Sequence, residues 1–185
     1  MLFLFKAFFG LVLGVAVVGG AIVYMAVSGN PTASCADGPV TRSPAAEASF
    51  NSKWGGFDAA LKQGQAATVA FTEDELASRG AGYLAGTGVA ARDFEIHLCA
   101  NQSKGQASLK MDLLGQSVAA VVTGKLDVAG NPPRIVVESL QVGQVPEQIG
   151  SLVANQILQA ANIQAPSGIR EVATTSTTAT LKGQR

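Results

Sequence analysis

Charge is scarce in this chain. Charged residues occupy 14% of its 185 positions, against roughly 25% in an average soluble protein. The 13 basic residues balance the 13 acidic ones. A nucleic-acid binder needs a net basic surface, so no nucleic-acid partner is expected. One histidine and two cysteines are too few for a zinc site built from Cys/His clusters. No Walker loop is present. Gly80, Gly82, Gly86 and Gly88 do not form a dinucleotide fingerprint in its strand–turn–helix setting. No cofactor and no metal are therefore expected. Apolar residues, by contrast, reach 48%, which sets the chain apart from disordered compositions.

Much of that apolar content lies at the start. Ala7 to Val27 carries no charge and no strong polar group. As a helix rising about 1.5 Å per residue it would extend roughly 31 Å, the thickness of a bilayer's hydrocarbon core. Lys6 precedes the stretch and no basic residue follows until Arg42, which by the positive-inside rule puts the N-terminus in the cytoplasm. The expected layout is a cytoplasmic stub and transmembrane helix over 1–28, a linker over 29–45 and an extracytoplasmic domain over 46–185. The expected location is the plasma (inner) membrane, crossed once. A cleaved signal peptide would have a shorter apolar core of about 7–15 residues. A lipoprotein signal is mimicked by Thr32-Ala33-Ser34-Cys35, but Gly29-Asn30-Pro31 separates it from the apolar run. Gly10, Gly14 and Ala21 lie along one stripe of the span and form a candidate helix-dimer face, because small residues let helices approach closely.

The linker ends near Pro44 and contains Cys35; Cys99 closes an expected strand. Outside the cytoplasm a disulfide between them is permitted and would tie the linker to the domain. Two separate thiols, one buried as a small hydrophobe, are the other reading.

Phe50, Trp54, Phe57 and Leu61 recur at helical spacing and share one face. That stripe suits core packing, with a membrane interface as its rival. A short strand at 67–71 leads into Thr72-Glu73-Asp74-Glu75. Thr72 and Glu75 make a capping box, and three acids suit the positive end of the helix they start. Four strands follow: around Phe94–Leu98, Ala107–Met111, Ser117–Val128 and Arg134–Gly143. Short turns join them, so an antiparallel meander is expected. Val121 and Val136 add apolar side chains to its second face, so both faces need cover. Val142-Gly143-Gln144-Val145-Pro146 introduces a further helix bearing Ile149, Leu152, Val153 and Ile157. A terminal strand pair turns near Thr175-Ser176. The expected fold class is α+β: an N-terminal transmembrane helix, then an antiparallel curved sheet packed with two to three helices.

No catalytic set assembles from these elements. His97 alternates with Phe94, Ile96 and Leu98 and is expected on the solvent side of its strand. A His97–Cys99 dyad has no oxyanion loop and no orienting acid beside it. Glu73, Asp74 and Glu75 already serve a helix start. The chain therefore reads as non-catalytic. Thr72, Glu75, Gly143 and Pro146 are structural candidates, and ligand-binding residues are not assigned.

The order of pieces resembles the bacterial YpmS-like and LmeA-like envelope proteins over residues 50–183. The resemblance rests on the membrane span, Phe71-Thr72-Glu73-Asp74-Glu75-Leu76, the strand meander, Val142-Gly143-Gln144-Val145-Pro146 and the final strands from Ile169 to Lys182. It implies an extracytoplasmic lipid-binding role, on a sheet that wraps a helix. Two functions follow as expectations. The first is a membrane-anchored domain that binds a lipid-like or apolar ligand. The second is a structural or accessory subunit of an envelope complex, with a homodimer or membrane-complex partner.

Overall fold

Ser43 and Pro44 start the first helix. Ser43 has extended backbone, and its Oγ accepts from the Ala46 amide at 3.1 Å. Pro44 occupies the first turn, where its missing N–H costs nothing. The computed structural model describes residues 28–86, 91–113, 116–129, 133–145 and 168–184, and in it this helix, α1, runs Pro44–Lys62. Gly55 and Gly56 weaken it by about 1 kcal/mol each. Tertiary packing compensates. Phe57 and Leu61 are buried, and the Phe50 and Trp54 rings lie 4.6 and 6.2 Å from that of Phe71. The aromatic stripe thus packs on a strand of its own domain.

That strand, β1 (Ala67–Thr72), buries alternate residues Val69 and Phe71. It runs straight into α2 (Glu73–Gly86) through the capping box. The Thr72 amide donates to Glu75 Oε2 at 3.0 Å, and the Glu75 amide donates to Thr72 Oγ1 at 3.3 Å. From α2 the chain enters β2 (Ala91–Cys99), β3 (Lys104–Leu113), β4 (Gln116–Asp127) and β5 (Arg134–Val142). These four form one antiparallel meander in sequence order. Gly80 lets α2 lie directly on β2: a Cβ there would stand 2.6 Å from the Phe94 ring. The last hairpin, β6 (Ile169–Thr174) and β7 (Thr178–Gly183), joins β1 instead, in the order β1-β7-β6.

The expected fold needs correction on two counts. The α+β class and antiparallel pairing describe the chain, but the strands divide into a three-stranded and a four-stranded sheet rather than one curved sheet. The cause is pairing across sequence: β1 aligns with β7, Phe71 opposite Ala179, and α2 carries the chain away before the meander begins. Second, among the described residues no helix is long and apolar enough to cross a membrane, and the described helices are two. The stretch Ala7–Val27, with Gly10, Gly14 and Ala21, lies outside the described residues, as do Pro146 and the expected helix over 149–161.

The core gathers where α1 crosses the three-stranded sheet. Phe57, Leu61, Val69, Phe71 and Ile169 form it, with Leu126 and Val128 of the meander packed against its border. Phe71→Ala removes the ring that α1 rests on. It should cost about 3–5 kcal/mol of unfolding free energy, read from urea melts.

Glu75 gives the domain an acid-sensitive joint. Its side chain is 8% exposed, and it takes an ion pair from Lys53 at 2.7 Å and a hydrogen bond from Ser49 Oγ at 2.5 Å. Burial pushes its pKa up. The bonds from Lys53, Ser49 and the Thr72 amide, with the Lys53 charge, outweigh that and hold it below the ordinary 4.5. A depressed folded value means the stabilisation is complete at neutral pH and fades as pH falls from 4.5 through the folded value. Glu75→Gln should cost about 2 kcal/mol at pH 7, and urea melts should show the gap to the parent closing below about pH 4.

Candidate ligand-binding groove

Among the described residues the two sheets share no hydrogen-bonded ladder. They are pinned to each other at one corner, by Thr174 at the end of β6. Its Oγ1 donates to the Cys99 carbonyl at 2.7 Å and accepts from the Ser103 amide at 3.0 Å. Its own carbonyl accepts from the Asn101 amide at 2.9 Å. Ser103 Oγ adds a bond to the Val172 carbonyl at 2.8 Å. The β2–β3 turn reaches this corner because Asn101 and Ser103 adopt left-handed backbone, with φ of 58° and 51°.

Beside that corner a cavity of about 550 Å³ lies between the sheets. One wall is the apolar face of the meander: Ile96 and Leu98 from β2, Val122 and Leu126 from β4, Val137 from β5. Ile169, Val172, Ala179 and Leu181 of the other sheet face them, and Trp54 of α1 borders the space. The floor is made by absence. Gly105 and Gly124 are directly paired across β3 and β4, next to the Ala107–Val122 pair. Glycine inside a strand weakens it and marks places where something approaches the backbone closely. A Cβ on Gly105 would meet nothing nearer than 3.5 Å, so packing does not demand glycine there. That sequence signal, two glycines interrupting otherwise regular strands, is the one that sequence reasoning passed over.

The opposite face of the meander carries the polar residues singled out in the sequence. Cys35 and Cys99 are joined in a disulfide, 5.1 Å apart at Cα. The bond lays residues 30–36 across this face. Gln106 fastens them further. Its Oε1 accepts from the Cys35 amide at 2.9 Å, and its Nε2 donates to Ser34 Oγ at 3.0 Å and to Thr123 Oγ1 at 3.2 Å. The stretch 29–45 is thus a strap rather than a free tether: the Thr41 amide donates to Asp74 Oδ1 at 2.7 Å and that of Ser43 to Ser78 Oγ at 3.0 Å.

His97 is on the expected face yet is not solvent-side. It is 2% exposed. The strap and α2 reach a face that strand alternation alone left open. Its Nε2 lies 3.2 Å from Glu95 Oε2. Its Nδ1 has no hydrogen-bond partner and stands 4.0 Å from Glu73 Oε2. Glu73 Oε1 accepts from the Leu98 amide at 2.6 Å. Burial raises the Glu73 pKa, against the lowering effect of the Leu98 bond and of His97. The conceivable His97–Cys99 dyad has no thiol to activate, because Cys99 Sγ is bonded to Cys35. Each acid of the triplet 73–75 holds a backbone amide: Glu73 that of Leu98, Asp74 that of Thr41, Glu75 that of Thr72. Gly143 turns the chain after β5 at φ 52°, its amide bonded to the Ala119 carbonyl at 2.9 Å. Among the described residues no three His, Cys, Asp or Glu side chains converge to hold a metal ion.

No family model, no curated protein and no solved structure matches the chain.

Removing the bridge tests the strap. The disulfide spans 64 positions, and closing a loop of that size is worth about 4 kcal/mol in the chain-entropy account. The paired substitution Cys35→Ser, Cys99→Ser should lose about 2–4 kcal/mol in urea unfolding and expose His97 to solvent, read as faster exchange of its ring proton by NMR.

Proposed function

We propose that this chain is a membrane-attached extracytoplasmic domain that holds an apolar, lipid-like ligand between its two sheets, without catalysis. The observation that carries the reading is the groove of about 550 Å³, walled by aliphatic side chains and floored by the Gly105–Gly124 pair. Ligand pockets are concave, largely apolar and typically about 300–1,000 Å³. A space of this kind left open costs packing energy, and a bound chain recovers it. The disulfide supports a site outside the cytoplasm, since such bonds persist in oxidising compartments. The apolar stretch Ala7–Val27 of the sequence supports attachment to a membrane. The same lipid-binding role is what the likeness to YpmS-like and LmeA-like proteins implies.

A fluorescent fatty acid provides the test. The full-length protein should take it up with a rise in emission and micromolar affinity. Gly105→Leu fills the floor from a position where a Cβ has room. It should weaken uptake at least tenfold while leaving the melting temperature within a few degrees of the parent. Uptake that is absent in the parent, or unchanged in a folded Gly105→Leu protein, would remove the groove as the ligand site.

A further inference from the structure

Resting on that reading of the groove, we propose that it takes a single hydrocarbon chain, selected by length, and that it is indifferent to the headgroup. The first argument is size. An aliphatic cavity of about 150 Å³ accommodates one benzene. By the same scaling the 550 Å³ of this groove suits a guest of about twenty carbon atoms, one chain rather than two.

The second argument is charge complementarity. Apart from the Trp54 indole N–H at the border, the polar side chains on the described lining are already committed within the protein. Ser103 Oγ donates to the Val172 carbonyl and Thr174 Oγ1 to the Cys99 carbonyl. The Gln106 amide is held by Ser34, Cys35 and Thr123. Lys104 and Lys125 both pair with Glu138, at 2.7 and 3.0 Å. Strand alternation also turns these side chains away. Lys104, Gln106 and Lys125 point to the strap face, opposite to Gly105, Ala107 and Gly124. A charged headgroup drawn into the groove would lose its water with no charged partner and only the Trp54 indole N–H in exchange. It therefore stays at the solvent boundary, and affinity comes from the chain alone.

Displacement of the bound fluorescent fatty acid from the full-length protein, by saturated acids and primary alcohols of eight to eighteen carbons, tests this. Affinity should rise about threefold to fourfold per added methylene, and acid and alcohol of equal length should agree within about threefold. An acid preferred over its alcohol by more than tenfold, abolished by Lys104→Gln with Lys125→Gln, would overturn headgroup indifference and leave the groove reading intact. Tighter binding of a two-chain phosphatidylglycerol than of any single chain would overturn the one-chain claim. If neither the probe nor any competitor binds, the ligand reading falls and this inference falls with it.

Discussion

Three consecutive carboxylates at the start of α2 hold the molecule's parts in relation to one another. Glu73 reaches forward to the Leu98 amide of β2, Asp74 sideways to the Thr41 amide of the strap, and Glu75 back to the Thr72 amide of its own cap. Glu75 also receives Ser49 and Lys53 from α1. Each bond is to an ionised or ionisable acceptor, and such bonds are about twice as strong as neutral ones. The site is the positive end of a helix dipole, so the acids gain there as well. A single helical turn therefore sets where α1, β1, β2 and the strap stand.

The groove lies between the two sheets. Sheets that pack face to face in a sandwich interdigitate their side chains over a gap of about 10 Å. Here the sheets are pinned at Thr174 and meet again at the border of the core, where Leu126 and Val128 touch the cluster around Phe71. Between those supports the residues lining the groove at the centre of the meander are Gly105, Ala107, Val122 and Gly124. Small side chains leave the interval unfilled. A larger residue at 105, where a Cβ has room, would fill it, so at that position the vacancy follows from side-chain volume.

The disulfide serves the other face. A half-apolar second face bearing Ala119 and Val121, both buried, must be covered by something. A segment of small residues and prolines is a poor cover by itself, since it has little apolar surface to contribute. Covalent attachment through Cys35–Cys99, with Gln106 bonded to the same residues, holds it where hydrophobic contact would not. His97 is buried as a consequence, with one ring nitrogen unpartnered.

Local chemistry determined much of this by itself. The capping box of Thr72 and Glu75, the aromatic stripe of α1, the order of the meander strands and the terminal hairpin were legible in the sequence because each depends on neighbours within a few positions. Their periods and caps are written in adjacent residues. The tertiary structure alone decided which strands shared a sheet, that His97 lay under cover, and that the paired Gly105 and Gly124 bordered an open space. Those outcomes depend on contacts between residues far apart in the chain. Pairing of β1 with β7 joins positions more than a hundred apart, and no local period encodes such a choice. Alternation along a strand tells which face a side chain takes, but what else comes to lie on that face is settled only when the whole chain has folded.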